Sequence, residues 1–455
     1  MAEKLKKSQL YTFGIGDLSF TLLATMELYF FTIFLTDHAM FSLIIFSVIL
    51  GVTRAGDIIC ALVAGVFLQK TSFKKFGGKY RSWLVLGPPI VALLFIFQFS
   101  KIGSEYIAAA IIIFGFLASH LLWNVVFAST GALVGTITYD SDERTILSSS
   151  RAQGISAASL IFAFTGPFMI FSFFGPRTSD IMGFSITAAI FGIVMILGYQ
   201  YVYKITNVGE QPANKVVKTE TEETGKSLIE IVVLVFKNPP LLWLVIAETF
   251  RNTCIFMVTS FAPYYFKYVL DNSDFFSSSF IRAISVALLL GTFAASWIGV
   301  RIGKRNAYWI SLILAAFAFL SAAFIEANAW SFTLIFCVAS MLGMIGGSMN
   351  TALFVDTAVY GEWKTGKNIQ AFTMSLLVLP IKLGLLIQSG VISVGFITIG
   401  FVANTTPTTE VVNGINSIMI YSPAIAAALT AVIFYFGYRI DEKQVQKMQE
   451  EIAAR

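Results

Sequence analysis

Twelve apolar runs, each long enough to cross the roughly 30 Å hydrocarbon core of a bilayer, decide most of what this chain can become. They fall at about 11–36, 42–69, 82–100, 105–138, 151–175, 180–204, 240–269, 275–300, 306–325, 329–359, 368–401 and 413–440. Inside hydrocarbon every backbone N–H and C=O must be satisfied within the chain, so runs of this length fold as helices. Composition agrees. Of the 455 residues 56 % are apolar and 13 % charged, and 44 Phe stand against 26 acidic residues, more than a water-soluble globule could hide. The expected fold class is an all-α membrane protein with twelve transmembrane helices. A disordered chain, a nucleic-acid binder and a disulfide scaffold are excluded on the same grounds. Cys60, Cys254 and Cys337 lie in apolar stretches at no metal-ligand spacing and read as small buried residues. With only His38 and His120 present, neither with an obvious acid partner or metal-ligand spacing, no metal or other cofactor is expected.

The basic residues set an orientation. Lys4, Lys6 and Lys7 precede the first run as in a signal peptide, but the run is too long and lacks a small-residue cleavage site, so it is expected to stay. With the N-terminus inside, about 24 of the 31 Lys and Arg fall on the cytoplasmic side, among them Lys70, Lys74, Lys75, Lys79, Arg81, Arg144, Lys204, Arg301, Lys304, Arg305, Lys364 and Lys367. About three face outward, Lys101, Arg177 and Lys267. That asymmetry is the positive-inside pattern and places both termini in the cytoplasm of a cell membrane.

The longest polar stretch, Asn207 to Lys226, sits between the sixth and seventh runs, with an amphipathic return at Leu228 to Phe236. Glycine-plus-basic clusters follow the second run (Gly65 to Arg81) and the eighth (Gly299 to Arg305), at the same place in each half. An internal repeat is expected: a six-helix bundle over 1–206, a cytoplasmic linker over 207–239, a second bundle over 240–440 and a tail over 441–455.

Ionisable side chains near the bilayer centre cost several kcal/mol unless compensated, and they mark functional positions. Four acids (Asp17, Glu27, Asp57, Glu248) and four bases (Arg54, Arg251, Arg282, Lys382) fall within the runs. Arg54 and Asp57 share a helix face, as do Glu248 and Arg251. Lys382 has no acid within a turn, and Asp57 is its expected partner. Asp17 and Arg282 could instead snorkel to an interface.

From Arg54 onward particular motifs stand out: RAGDIICALVAG and GGKYRSW, then DERTILSSSR (Asp142–Arg151), FAPYYFKYV (Phe261–Val269) and DTAVYGEWKTG (Asp356–Gly366), with YTFGIGDL at Tyr11–Leu18. In this order they resemble the melibiose permease-like glycoside–pentoside–hexuronide:cation symporters of the major facilitator superfamily. The resemblance implies a secondary transporter of two six-helix halves. It places Asp57 at the first acid of the cation pair on helix two, while the second falls on Ala61. The sugar-contacting acid of helix one aligns with Thr21, and the acid and tryptophan of helix four fall at about Phe127 and Gly131. Lys382 matches the family's helix-eleven lysine, Arg151 lies at or beside its sugar-site arginine, and Val359 replaces an acid common in the YGEW motif.

The scaffold is thus retained while the sugar and sodium chemistry is altered. The expected function is secondary active or facilitative transport of a small organic solute by alternating access, not enzymatic catalysis. A transporter-like sensor and a true sugar or uronide:cation symporter remain the alternatives. Thr21, Trp123, Asn124, Phe127, Gly131, Arg151, Arg251 and Lys382 are the expected solute contacts. Glu27, Asp57 and Glu248 are the carboxylates available to a coupling proton, preferred over sodium because Ala61 removes an oxygen ligand. Arg54, Asp57, Lys382 and Asp356 are the expected charge-pair positions. Fewer carboxylates, more Phe and positive charge from Arg151 and Arg251 favour a less polyhydroxylated solute bearing a carboxylate or an aromatic part. The expected partners are that solute, a proton and the lipid bilayer, with no nucleic acid, and the chain is expected to act as a monomer.

Overall fold

A computed structural model describes residues 5–71, 76–138, 141–206, 237–326, 328–366, 373–374 and 376–453. Among them twelve helices are long and apolar enough to cross a membrane: α1 (Lys7–His38), α2 (Leu43–Gly65), α3 (Arg81–Gln98), α4 (Glu105–Thr136), α5 (Ile146–Arg177), α6 (Asp180–Ile205), α7 (Pro239–Tyr268), α8 (Ser273–Ile302), α9 (Lys304–Phe324), α10 (Ala329–Thr365), α11 (Val378–Ile399) and α12 (Thr409–Gly437). A polar helix, α13 (Glu442–Ala453), follows. The expected linker from Asn207 to Lys226, the amphipathic return at Leu228 to Phe236, and Lys74, Lys75 and Lys367 lie outside the described residues.

Local sequence explains where helices begin and end. Ser179 caps α6 by accepting from the Met182 N–H at 3.3 Å. Asn238 does the same for α7 through Leu241, and Pro239 and Pro240 follow, lacking N–H groups where a first turn has no use for them. Gly366 and Gly400, at φ of +69° and +65°, stop α10 and α11 in a left-handed conformation that suits glycine. The tenth span runs past its expected end to Thr365, with one turn residue, Met349, between Ala329–Ser348 and Asn350–Thr365. Most of the expected start of the eleventh, 368–372 and 375, lies outside the described residues, and its described helix begins at Val378 after a turn at Leu376 and Leu377.

Contacts divide the chain into two compact units, Met1–Lys218 and Thr219–Arg455, with six spans in each. In the first, α1 packs on α5 and α6, α2 on α4, and α3 on α4 and α6. In the second, α7 packs on α11 and α12, α8 on α10, and α9 on α10 and α12. Each helix therefore keeps the neighbours of the helix six positions earlier, which is the internal repeat in physical form. Single bonds repeat as well. Arg81 at the start of α3 donates to the Tyr203 carbonyl at 2.9 Å, and Arg305 near the start of α9 donates to the Tyr438 carbonyl at 3.0 Å.

Small residues make the crossings possible. A Cβ on Gly14 would sit 1.9 Å from the Ser150 carbonyl oxygen, and one on Gly154 would sit 2.1 Å from that of Gly14, so α1 and α5 touch backbone to backbone. In the matching pair of the second unit, a Cβ on Gly384 would lie 2.8 Å from the Asn252 Cβ. Gly154→Val should force α1 and α5 apart and destabilise the protein by about 1–3 kcal/mol, the range for overpacking. Gly51→Ala, where an added Cβ meets nothing, is the control. Thermal unfolding in detergent should show a clear drop in Tm for the first variant and none for the second; equal Tm values would refute the close crossing.

Candidate functional site

One face of α4 organises the interior of the first unit. His120, Trp123, Asn124, Phe127 and Gly131 recur at helical spacing, so they form a stripe about three turns long. At one end of it, Asp17 on α1 is fully buried and accepts Nε and Nη2 of Arg151 on α5 at 2.8 and 2.9 Å, a bidentate pair. The Arg151 guanidinium lies over the Phe127 ring, 5.1 Å from its centroid. Phe20 stacks on Phe127 (5.4 Å) and packs on Trp123 (4.0 Å), which also meets Phe95 (5.8 Å). Phe127 is thus part of an interior aromatic group. Gly131 keeps the last turn of the stripe bare, since a Cβ there would meet Arg151 Nη1 at 3.2 Å. Thr21 sits half-buried beside Phe20.

At the other end Glu27, about three turns along α1, is gripped from two helices. Arg54 Nη1 on α2 donates to its Oε1 at 2.6 Å, and His120 Nε2 on α4 lies 3.2 Å from its Oε2. The Arg54 guanidinium is held between the Phe31 and Phe116 rings, 5.6 and 5.2 Å from their centroids. Asn124 joins this group to Asp57, donating to the His120 carbonyl at 2.7 Å and lying 3.5 Å from Asp57 Oδ1.

In the second unit Glu248 is fully buried on α7 and accepts Arg251 Nε on both oxygens at 2.9 Å and Nη2 at 2.8 Å. Tyr308 on α9 donates its hydroxyl to Oε1 at 2.7 Å. Gly347, in the glycine run of α10, leaves room for Arg251: a Cβ there would stand 2.6 Å from Nη1. Asp356 lies farther along α10, with Lys304 Nζ at 2.6 Å. Burial, with the Asp356 charge beside it, pushes the Tyr438 phenol above its ordinary range, so it stays protonated and points its O–H at Asp356 Oδ2, 3.4 Å away. Glu442 of α13 accepts the Lys304 N–H at 2.7 Å, and Trp363 donates to Glu451 at 2.6 Å, so α13 is fastened across the ends of α9 and α10. Lys382 is half-buried in the first turns of α11, in the unit that does not contain Asp57.

Several expectations change. Asp17 does not snorkel; it is the buried partner of Arg151. Arg54 is bonded to Glu27 on another helix. His120 does have an acid partner, and so does His38, which lies 3.2 Å from Asp180. Arg151 and Arg251 are each matched by a carboxylate, so their charges are not a surplus. Tyr308 was not singled out by the sequence, and Lys304 was named there only among the cytoplasmic basic residues. The common cause is that these partners arrive from other helices, where spacing along one helix carries no signal.

Paired charges buried inside a six-helix pattern used twice are the construction of a membrane solute transporter. The chain belongs to the MFS/sugar transport protein family, whose model matches residues 12–442. It is similar to the uncharacterised symporter YjmB of Bacillus subtilis, at 24 % identity over 88 % of this chain and 89 % of the relative. A candidate sulfoquinovose importer of Escherichia coli is 25 % identical over 99 % and 95 %. The glucuronide carrier protein homolog of the same species is 25 % identical over 99 % and 96 %. Among solved structures, the D-xylose-proton symporter superposes with a TM-score of 0.70 at 15 % identity, covering 95 % of this chain and 98 % of that one. The protein is a multi-pass membrane transporter of the major facilitator type and not an enzyme, as the motifs implied.

Removing one partner of a buried pair strands the other. Arg251→Ala should therefore cost about 3–5 kcal/mol. Tyr308→Phe removes only one bond to a carboxylate that keeps its arginine, and should cost about 1.5–3 kcal/mol. Thermal unfolding of the purified variants should rank wild type above Tyr308→Phe above Arg251→Ala; the reverse order would contradict the description of Glu248.

Proposed function

We propose that the protein is a proton-coupled carrier of an anionic sugar derivative, a uronide or a sulfonated sugar, alternating access between the two sides of a bacterial cytoplasmic membrane. The chain works as a monomer with both termini inside, and 207–239 links its two bundles. One observation carries the solute assignment. Asp17 occupies Nε and Nη2 of Arg151 but leaves the Nη1 edge beside side-chain-free Gly131, where a carboxylate or sulfonate can be met. Phe20, Trp123 and Phe127 supply an apolar wall next to it for a ring face. The names of relatives, which include a candidate sulfoquinovose importer and a glucuronide carrier homolog, support the same class. A second reading, an amphipathic aromatic anion, draws on the same aromatic group.

Proton coupling follows from Ala61, which leaves Asp57 without the second carboxylate a sodium site would use. Glu27, Asp57 and Glu248 are the acids on hand. The neutralisation of Asp57 by Lys382 expected from sequence belongs to this reading. Lys382→Ala alone should then impair transport more than Lys382→Ala combined with Asp57→Asn.

Competition binding on the purified protein tests the solute class. Glucuronides and sulfoquinovose should displace one another and bind well ahead of neutral disaccharides, with Arg151→Gln erasing the preference. Tight binding of neutral disaccharides would overturn the anionic assignment, and tighter binding of aromatic carboxylates would select the second reading. A sodium gradient at fixed pH and potential should leave uptake unchanged; stimulation would overturn proton coupling.

A further inference from the structure

Between α13 and the ends of α7, α10 and α12 lies an open groove of about 440 Å³. Pro239 and Pro240 line it from α7, Tyr360 and Trp363 from α10, and Lys447 from α13, with Arg439 on the connection between α12 and α13. Helix length sets its depth. α7 and α12, of 30 and 29 residues, are each about 45 Å long at 1.5 Å per residue, the thickness of a bilayer with its headgroups. Pro239 opens α7 and Gly437 closes α12 at the same end, where a Cβ on Gly437 would strike the Trp243 indole. The groove therefore sits at headgroup level. Trp243, Tyr435 and Phe436, all exposed and about a turn or less from these helix ends, form the aromatic fringe that marks that level.

The charges of the groove are sorted. Arg439 spends Nε on the Phe436 carbonyl at 3.0 Å, and among the described residues its other donors meet no acceptor. Lys447 meets no acid among them either. Glu451, the acid among the lining residues, is tethered by the Trp363 Nε1–H at 2.6 Å. Of the other α13 acids, Glu442 lines a separate groove with Asp356 and Glu450 lines neither. Two exposed cations against one tethered acid leave a positive balance beside apolar Met448 and two aromatic rings. An anionic phosphodiester at the membrane surface complements that set. A zwitterionic headgroup would bring its own cation up to Lys447.

We propose that this groove binds the headgroup of an anionic phospholipid, whose phosphate is met by Arg439 and Lys447, and that the bound lipid pins α13 to the second unit. The site stands apart from the solute and coupling assignments. Native mass spectrometry of the purified protein gives the affinities of phosphatidylglycerol and phosphatidylcholine from their adducts. Wild type should favour phosphatidylglycerol. Arg439→Gln with Lys447→Gln should weaken that lipid about thirtyfold, the worth of two basic residues at the interface, and leave phosphatidylcholine unchanged. Lys443→Gln with Arg301→Gln removes the same charge outside the groove and should leave the preference in place. Equal affinity of wild type for the two lipids, or the same loss in both double variants, overturns the proposal. Thermal unfolding supplies a second readout. Phosphatidylglycerol should raise the Tm of wild type and not that of the groove variant, and inorganic phosphate should raise neither. A rise with inorganic phosphate equal to that with the lipid would assign the groove to a free anion and overturn the lipid. All four substituted side chains are exposed, so the variants should match wild type in Tm without lipid.

Discussion

A carboxylate enclosed by hydrocarbon and helices stays ionised only where a cation and hydrogen-bond donors replace its lost water. Asp17, Glu27, Glu248 and Asp356 all meet that condition, through Arg151, Arg54, Arg251 and Lys304 respectively. Three of the four pairs bridge different helices, so they fix which helices can be neighbours and how each is rotated. Lipid contributes little here, because an apolar side chain is nearly as content against acyl chains as against another helix. The ion pairs and the close glycine crossings therefore carry much of the specificity of each bundle, while the many Phe fill the space between them.

The same arrangement accounts for the chemistry. In the proposed function, the Arg151 edge that Asp17 leaves unoccupied is the anchor an anionic solute would share. The Asp17–Arg151 pair and the Glu27–His120 contact lie at opposite ends of one stripe on α4, with Trp123, Asn124 and Phe127 between them. Asp356 differs in kind. It ties Lys304 and Tyr438 together while Glu442 and Glu451 fasten α13 nearby, which gives the end of the second unit a rigid brace.

Much of the architecture was legible in the sequence, since length and hydropathy alone dictate spanning helices. Their number and approximate positions followed, and so did the repeat, from paired glycine-plus-basic clusters. The Glu248–Arg251 pair was readable because a three-residue spacing puts both on one face. Asp17, His120, Tyr308 and Lys304 were not readable in the same way, because their partners lie more than fifty residues away in sequence or on another helix. One signal was available for His120: it shares the helical stripe of Trp123, Asn124, Phe127 and Gly131, and a polar ring on such a stripe faces inward. Arg151 was legible only through the family resemblance, and its role as the partner of Asp17 emerged from the fold.

The central claim is that these paired charges belong to a working carrier and not to a transporter-shaped sensor. Solute counterflow tests it most directly, because exchange needs no energy source and is independent of how coupling is achieved. Proteoliposomes loaded with unlabelled glucuronide or sulfoquinovose and diluted into a trace of the labelled compound should show a transient overshoot of internal label, absent from protein-free vesicles. A flat trace for every anionic sugar, from protein that still binds it, would contradict the account and leave a binding protein without transport.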